Sequence, residues 1–226
     1  MVPLMTQDTW SAVDHYVTDI LDLTDDVLES TQKACDDAGL PPIAVSVPQG
    51  KLLYLLARIR GAKRILEVGT LGGYSTIWMA RALPPDGKLV TIEIDPKHAE
   101  VARANVDRAG FREQVDVRLG AAIQELPKLA GENDGPFDFV FIDADKPSIP
   151  DYFAWSLKMS QAGTVIIVDN VVREGAVIDS KSEDAAVRGV RRLNEMLAAE
   201  DRVTSTTLQT VGTKGYDGFT IILVNY

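Results

Sequence analysis

The chain has 226 residues, 46% of them hydrophobic, enough to bury one substantial core. Its 23 basic and 33 acidic residues give a formal charge of -10, which opposes phosphate-rich partners and acidic membrane surfaces, so neither nucleic acid nor membrane is an expected partner. One cysteine, Cys35, excludes an internal disulfide, no apolar run is long enough to span a bilayer, and Met1 to Asp8 carry neither part of a secretory signal; a cytoplasmic location is expected.

From Trp10 to about Ala38, apolar residues recur at helical spacing in two segments, with Thr24 as a plausible cap between them and Gly39-Leu-Pro-Pro42 as their end. A further helix is predicted over Gln49 to Arg60. Strand-like runs then alternate with helix-like ones. The strands are Arg64 to Val68, Leu89 to Ile94, Val115 to Leu119, Phe137 to Ile142 and Thr164 to Val168; the helices are Ser75 to Ala82, Pro96 to Ala109 and Tyr152 to Met159. Alternation of this kind predicts parallel strands joined by right-handed helical crossovers, an α/β, Rossmann-like, doubly wound and mostly parallel sheet. After a helix around Val187 to Ala199, the runs Arg202 to Leu208 and Gly218 to Asn225 are separated only by the turn-rich 212–218, too short for a parallel return, so a C-terminal antiparallel strand pair is expected. The whole is read as a single domain over 1–226, with 1–47 a helical extension of a 48–226 core.

Two constellations carry chemistry. In the first, the strand 64–68 runs into Gly69-Thr-Leu-Gly-Gly73 and a helix, and about twenty residues further on Glu93 lies on the next strand. A glycine turn lets backbone approach a ligand closely, and an acidic side chain on the next strand can accept both hydroxyls of a ribose. A dinucleotide site would want Gly where this chain has Glu67, whose carboxylate repels phosphate and attracts an amine. The ligand with a ribose, an amino acid and a sulfonium in place of phosphates is S-adenosylmethionine, which reads the chain as a methyltransferase.

In the second, Phe139-Val-Phe-Ile-Asp-Ala-Asp-Lys146 and Val165-Ile-Ile-Val-Asp-Asn170 end neighbouring strands in polar residues, on the side of the sheet where the glycine turn lies. Asp143, Asp169 and Asn170 offer hard oxygen ligands suited to Mg²⁺ or Mn²⁺ and not to a closed zinc site. Such a cation could bind two adjacent hydroxyls and fix one for in-line attack on a sulfonium methyl.

These motifs, with Gln49-Gly50, Gly120-Ala-Ala122 and Lys214-Gly-Tyr-Asp-Gly218, resemble the cation-dependent O-methyltransferase family that contains the catechol and caffeoyl-CoA enzymes, over nearly the whole chain. The resemblance implies a homodimer, metal held by Asp143, Asp169 and Asn170, and Lys146 as general base. It also implies S-adenosylmethionine contacts at Val45, Glu67, Gly69, Thr70, Ser75, Glu93, Ala122 and Asp143. The chain departs from the pattern at Ile149, where plant members carry Tyr, although Tyr152 matches further on. It departs again at Asp145, where the animal catechol enzyme has an aromatic residue. The segment Val171 to Asp184, with Arg173, Glu174 and Lys181, is the expected substrate-facing loop.

Plainer readings stand beside these. Glu67, Asp143 and Asp169 could be caps, Ser75 a first-turn polar residue and Glu93 an exposed strand end. Asp145 could support the metal ligands or act directly. A lone lysine is usually a solvated charge; beside a cation and a sulfonium, Lys146 suits a base. His15 and His98 read as surface or packing residues, and Cys35 as a small buried hydrophobe. Trp10, Trp78 and Trp155 read as packing, with Trp10 or Trp155 flanking an aromatic acceptor as the alternative. The expected acceptor is a catechol-type small molecule; a CoA-thioester catechol, a hydroxylated tRNA base, and a non-catalytic S-adenosylmethionine-binding protein are the competing readings.

Overall fold

The computed structural model describes residues 6–132 and 135–225. Part of the segment read for a secretory signal, residues 1–5, lies outside the described residues. Three helices open the chain: α1 (Gln7–Ile20), α2 (Asp26–Asp37) and α3 (Val47–Arg60). The cap of α2 is Asp25 and not Thr24: its carboxylate accepts from the amides of Val27 at 3.1 Å and Leu28 at 3.0 Å. A carboxylate at that position also meets the positive end of the helix dipole, an advantage the threonine hydroxyl lacks.

The remainder alternates as β1 (Arg64–Val68), α4 (Tyr74–Ala80), β2 (Lys88–Glu93), α5 (Pro96–Arg108), β3 (Val115–Leu119), α6 (Ala122–Gly131), β4 (Phe137–Ile142), α7 (Ile149–Lys158), β5 (Ser160–Asp169), α8 (Ala185–Ala199), β6 (Val203–Gly212) and β7 (Gly215–Val224). The strands form a seven-stranded sheet in the order β3-β2-β1-β4-β5-β7-β6. β1 to β5 pair in parallel, while β7 runs antiparallel to both β5 and β6. This is the doubly wound, Rossmann-like sheet with an antiparallel end pair.

Side chains of successive strand residues point to opposite faces, so each central strand feeds two apolar layers. Ile65, Phe139, Phe141 and Ile167 pack with α3, α4 and α5 on one face. Leu66, Val140, Ile142 and Ile166 pack with α6, α7 and α8 on the other. Burial on both faces explains why these strands read as continuous apolar runs and not as alternating ones.

Two elements differ from the sequence reading. Helix α6 was not among the predicted helices, and Pro127 in its middle removes one amide donor. Burial of Ala122, Leu126 and Leu129 on one stripe holds the helix across it. The turn-rich 212–218 is mostly strand: pairing continues from Val203↔Val224 to Gly212↔Gly215, leaving Thr213 and Lys214 as the turn. Gly215, at φ 90, takes the left-handed backbone that closes it.

Candidate functional site

After β1 the chain winds toward β2 and β3, and then returns to place β4 on the opposite side of β1. The loops leaving β1 and β4 therefore diverge, and a crevice opens beyond the carboxyl ends of the strands. Gly69 keeps those loops close together. It sits at φ 97, and a Cβ there would lie 2.3 Å from the Asp143 carbonyl oxygen, so any side chain would push the Asp143 loop away. A cavity of 620 Å³ occupies the crevice, within the range of small-molecule sites. Val45, Gly69, Thr70, Ser75, Glu93, Ala122, Asp143, Lys146 and Asn170 all line it.

At one end Glu93 is buried and shapes the glycine turn. Its Oε2 accepts from the Thr70 amide at 3.2 Å and the Leu71 amide at 2.8 Å, and its Oε1 from the Asp95 amide at 2.9 Å. An ionised carboxylate has about four acceptor sites, so capacity remains for a hydroxyl from the cavity. Glu67 is placed differently from its neighbours in the motif. It is fully buried behind the cavity wall, where its carboxyl accepts from the hydroxyls of Ser75 at 2.6 Å and Thr76 at 2.5 Å. Burial pushes its pKa up to about 7, against the lowering effect of those hydroxyl bonds. Ser75, one layer nearer the cavity, is held by Glu67 through that bond.

At the other end Lys146 Nζ donates to Asp143 Oδ1 at 2.7 Å. The Asp143 amide donates to the Val68 carbonyl at 2.8 Å, which locks the start of that loop to the end of β1. Asp169 is buried beneath the wall, accepting from Gln49 Nε2 at 2.7 Å and from the Asn170 amide at 2.9 Å. Burial, and then the nearby Asp143 carboxylate, push its pKa up, while Lys146 opposes the shift. The carboxylates of Asp143 and Asp169, with the carboxamide of Asn170, offer only oxygen donors, the type that suits a hard divalent cation. Among the described residues no three His, Cys, Asp or Glu side chains group closely enough to hold a metal ion, so a cation here would need the Asn170 carboxamide as its third protein donor.

Gln49, part of a motif to which no role was assigned from sequence, reaches Asp169 from 120 residues away, a contact no local pattern marks. Tyr152 and Asp145 both line the cavity, and the Tyr152 hydroxyl donates to Asp145 Oδ1 at 2.5 Å. Burial, and then that bond, hold the phenol above its ordinary range. Ile149 is fully buried in the core and does not face the cavity. His15 is exposed, while His98 lies on the cavity wall with Nδ1 3.8 Å from Glu93 Oε1, a placement its charged sequence context concealed. Cys35, buried as expected, also borders the cavity. Trp78 is buried against α3, and neither Trp10 nor Trp155 is part of the wall.

The sequence model of a family described as O-methyltransferase matches residues 18–223. A protein of Niastella koreensis named catechol O-methyltransferase is 53% identical over 97% of this chain and 100% of its own length. A Mycobacterium tuberculosis protein of the same name is 48% identical over 94% of each chain. Among solved structures, an O-methyltransferase from Bacillus cereus in complex with SAH superposes with a TM-score of 0.96 at 54% identity, covering 97% of this chain and 100% of that one. TomG from Streptomyces achromogenes, in complex with SAM, superposes with a TM-score of 0.95 at 53% identity, covering 99% and 100%.

Proposed function

The chain belongs to the S-adenosylmethionine-dependent O-methyltransferase family, and from that premise we propose that it methylates one hydroxyl of a vicinal-dihydroxy aromatic small molecule of the catechol type, assisted by Mg²⁺ or Mn²⁺ at Asp143, Asp169 and Asn170. The observation that carries this reading is the placing of Asp143 and Asn170 on the wall of the cavity that contains the glycine turn, with Lys146 bonded to Asp143 and Asp169 buried directly behind Asn170. The two relatives named catechol O-methyltransferase support it.

Glu93 receives the ribose hydroxyls of the cofactor, while Val45, Gly69, Thr70, Ser75, Ala122 and Asp143 form the surrounding wall, with Glu67 acting through Ser75. A divalent cation, when bound, supplies a chelating point for two adjacent hydroxyls and makes one of them more acidic. Lys146 Nζ, held beside the acceptor by Asp143, accepts the proton of the hydroxyl to be methylated. As the new oxygen–methyl bond forms, the sulfur–methyl bond breaks; its electron pair returns to sulfur and S-adenosylhomocysteine leaves. Proximity and in-line orientation supply much of the acceleration, which is what the rigid strand ends provide.

Arg173 is committed to Asp217 at 3.7 Å, which leaves the loop after β5 poor in cations for a phosphate-rich carrier and favours a small acceptor over a CoA thioester. The charge of -10 weighs against a tRNA substrate. A homodimer also fits, since Val13, Tyr16 and Ile20 leave an apolar stripe on α1 exposed that a second copy could cover. Asp169→Ala tests the cation: turnover should be lost in this variant while calorimetry still shows S-adenosylmethionine binding. Full wild-type turnover in excess chelator would overturn the metal-assisted reaction.

A further inference from the structure

The turn that follows β5 is held in an uncommon backbone conformation. Asn170 has φ 55, and the run Arg173, Glu174 and Gly175 has φ 55, 55 and 89. Non-glycine residues rarely adopt this region, and persist there only when neighbouring structure fixes them. The fixing group here is Asp217, on β7. Its Oδ1 accepts from both the Val172 amide at 2.8 Å and the Arg173 amide at 2.9 Å, and its Oδ2 lies 3.7 Å from Arg173 Nη1. The adjoining Gly218 carbonyl accepts from the Val171 amide at 3.0 Å. Gly218 also has no room for a side chain, since a Cβ would lie 2.6 Å from Val172 Cγ2 and 2.3 Å from the Leu208 carbonyl oxygen.

Three consecutive backbone amides after Asn170 are therefore claimed by two consecutive residues of β7. The turn could not relax to an ordinary conformation without abandoning these bonds. We infer that Asp217 is a positioning residue: from the end hairpin, it fixes the turn that presents Asn170 to the cavity, and with it the third oxygen ligand of the cation site. The inference rests on the cation reading for its consequence, though not for its geometry. Asp217 touches neither cavity nor reacting atoms, and acts only through the Asn170 turn.

The experiment compares wild type with Asp217→Ala and Asp217→Asn, using Mn²⁺ as the probe. Three readouts are taken: Mn²⁺ affinity from the electron paramagnetic signal of the free ion, S-adenosylmethionine affinity from calorimetry, and hydrogen exchange at the Val172 and Arg173 amides. Asp217→Ala should speed exchange at both amides about tenfold or more and weaken Mn²⁺ binding roughly tenfold, with S-adenosylmethionine affinity within about twofold. Asp217→Asn keeps an acceptor oxygen for both amides and should restore most of the protection and of the Mn²⁺ affinity. A general loss of structure would lower both affinities and would not be rescued by Asn. If Asp217→Ala does not fold, Asp217→Glu carries the test, since its longer side chain displaces the carboxylate from the two amides while keeping the charge. Unchanged exchange at both amides, or wild-type Mn²⁺ affinity in Asp217→Ala, would overturn the inference. A wild-type protein that binds no Mn²⁺ would defeat the cation reading, and the exchange data would then decide the role of Asp217 alone.

Discussion

Replacing Glu67 with Gln should change how the stability of this protein depends on pH. The carboxyl titrates near 4.5 when exposed and at about 7 in the fold, where burial is the first cause. Between those values the native state holds a proton that the unfolded chain releases, so stability falls as pH rises through the window. The contribution is complete below about 4.5 and is lost as pH passes 7. At about 1.4 kcal/mol per pH unit, the gap corresponds to roughly 3 kcal/mol. Gln fits the same space without an ionisable group, and the Ser75 and Thr76 hydroxyls can each rotate to donate or accept, so its bonds are rearranged and not abolished. Asp169 titrates in the same direction in both proteins and cancels in the difference. Urea denaturation of wild type and Glu67→Gln from pH 4.5 to 8.5 should show the wild type losing about 3 kcal/mol relative to the variant as pH rises. Parallel profiles would refute the argument, and would mean that Glu67 ionises in the fold as readily as in water.

Other substitutions separate binding from chemistry. Glu93→Ala removes the expected ribose acceptor together with the group that holds the Thr70, Leu71 and Asp95 amides; S-adenosylmethionine affinity should fall by on the order of 1.5–3 kcal/mol by calorimetry, and unchanged affinity would remove Glu93 from the site. Lys146→Ala and Lys146→Arg should both cut kcat by about two to four orders of magnitude with cofactor affinity nearly intact, because a guanidinium keeps its proton at any working pH. Most of the wild-type kcat in Lys146→Arg would show that solvent, and not Lys146, removes the hydroxyl proton.

The central strands were legible in the sequence because each is buried on both faces, so the stretches 139–142 and 165–168 are apolar throughout and end abruptly in charge. That abruptness also marked Asp143, Asp169 and Asn170, since polar residues closing an apolar strand lie at the sheet end where ligands bind. The depth of a group could not be read in the same way. Glu67 and Glu93 look equivalent in sequence, but one faces α4 beneath the wall and the other the cavity, a distinction set by which neighbours donate to each. Helix α6, whose buried stripe is short and interrupted by Pro127, went unpredicted, and the end hairpin was read with too long a turn, which Gly215 closes after Thr213 and Lys214. The contacts from Gln49 to Asp169 and from Asp217 to the turn after β5 join distant segments. They exist only once the sheet has brought those segments together.

The most direct test of the functional reading is the initial rate of methyl transfer from S-adenosylmethionine to catechol and to resorcinol, each with Mg²⁺ and with excess chelator. Vicinal hydroxyls can share one cation, whereas the 1,3-arrangement of resorcinol cannot chelate it in the same way. The account expects methylation of catechol with Mg²⁺, little with resorcinol, and none with either in chelator. Equal rates on the two diols, or catechol turnover undiminished by chelator, would contradict it.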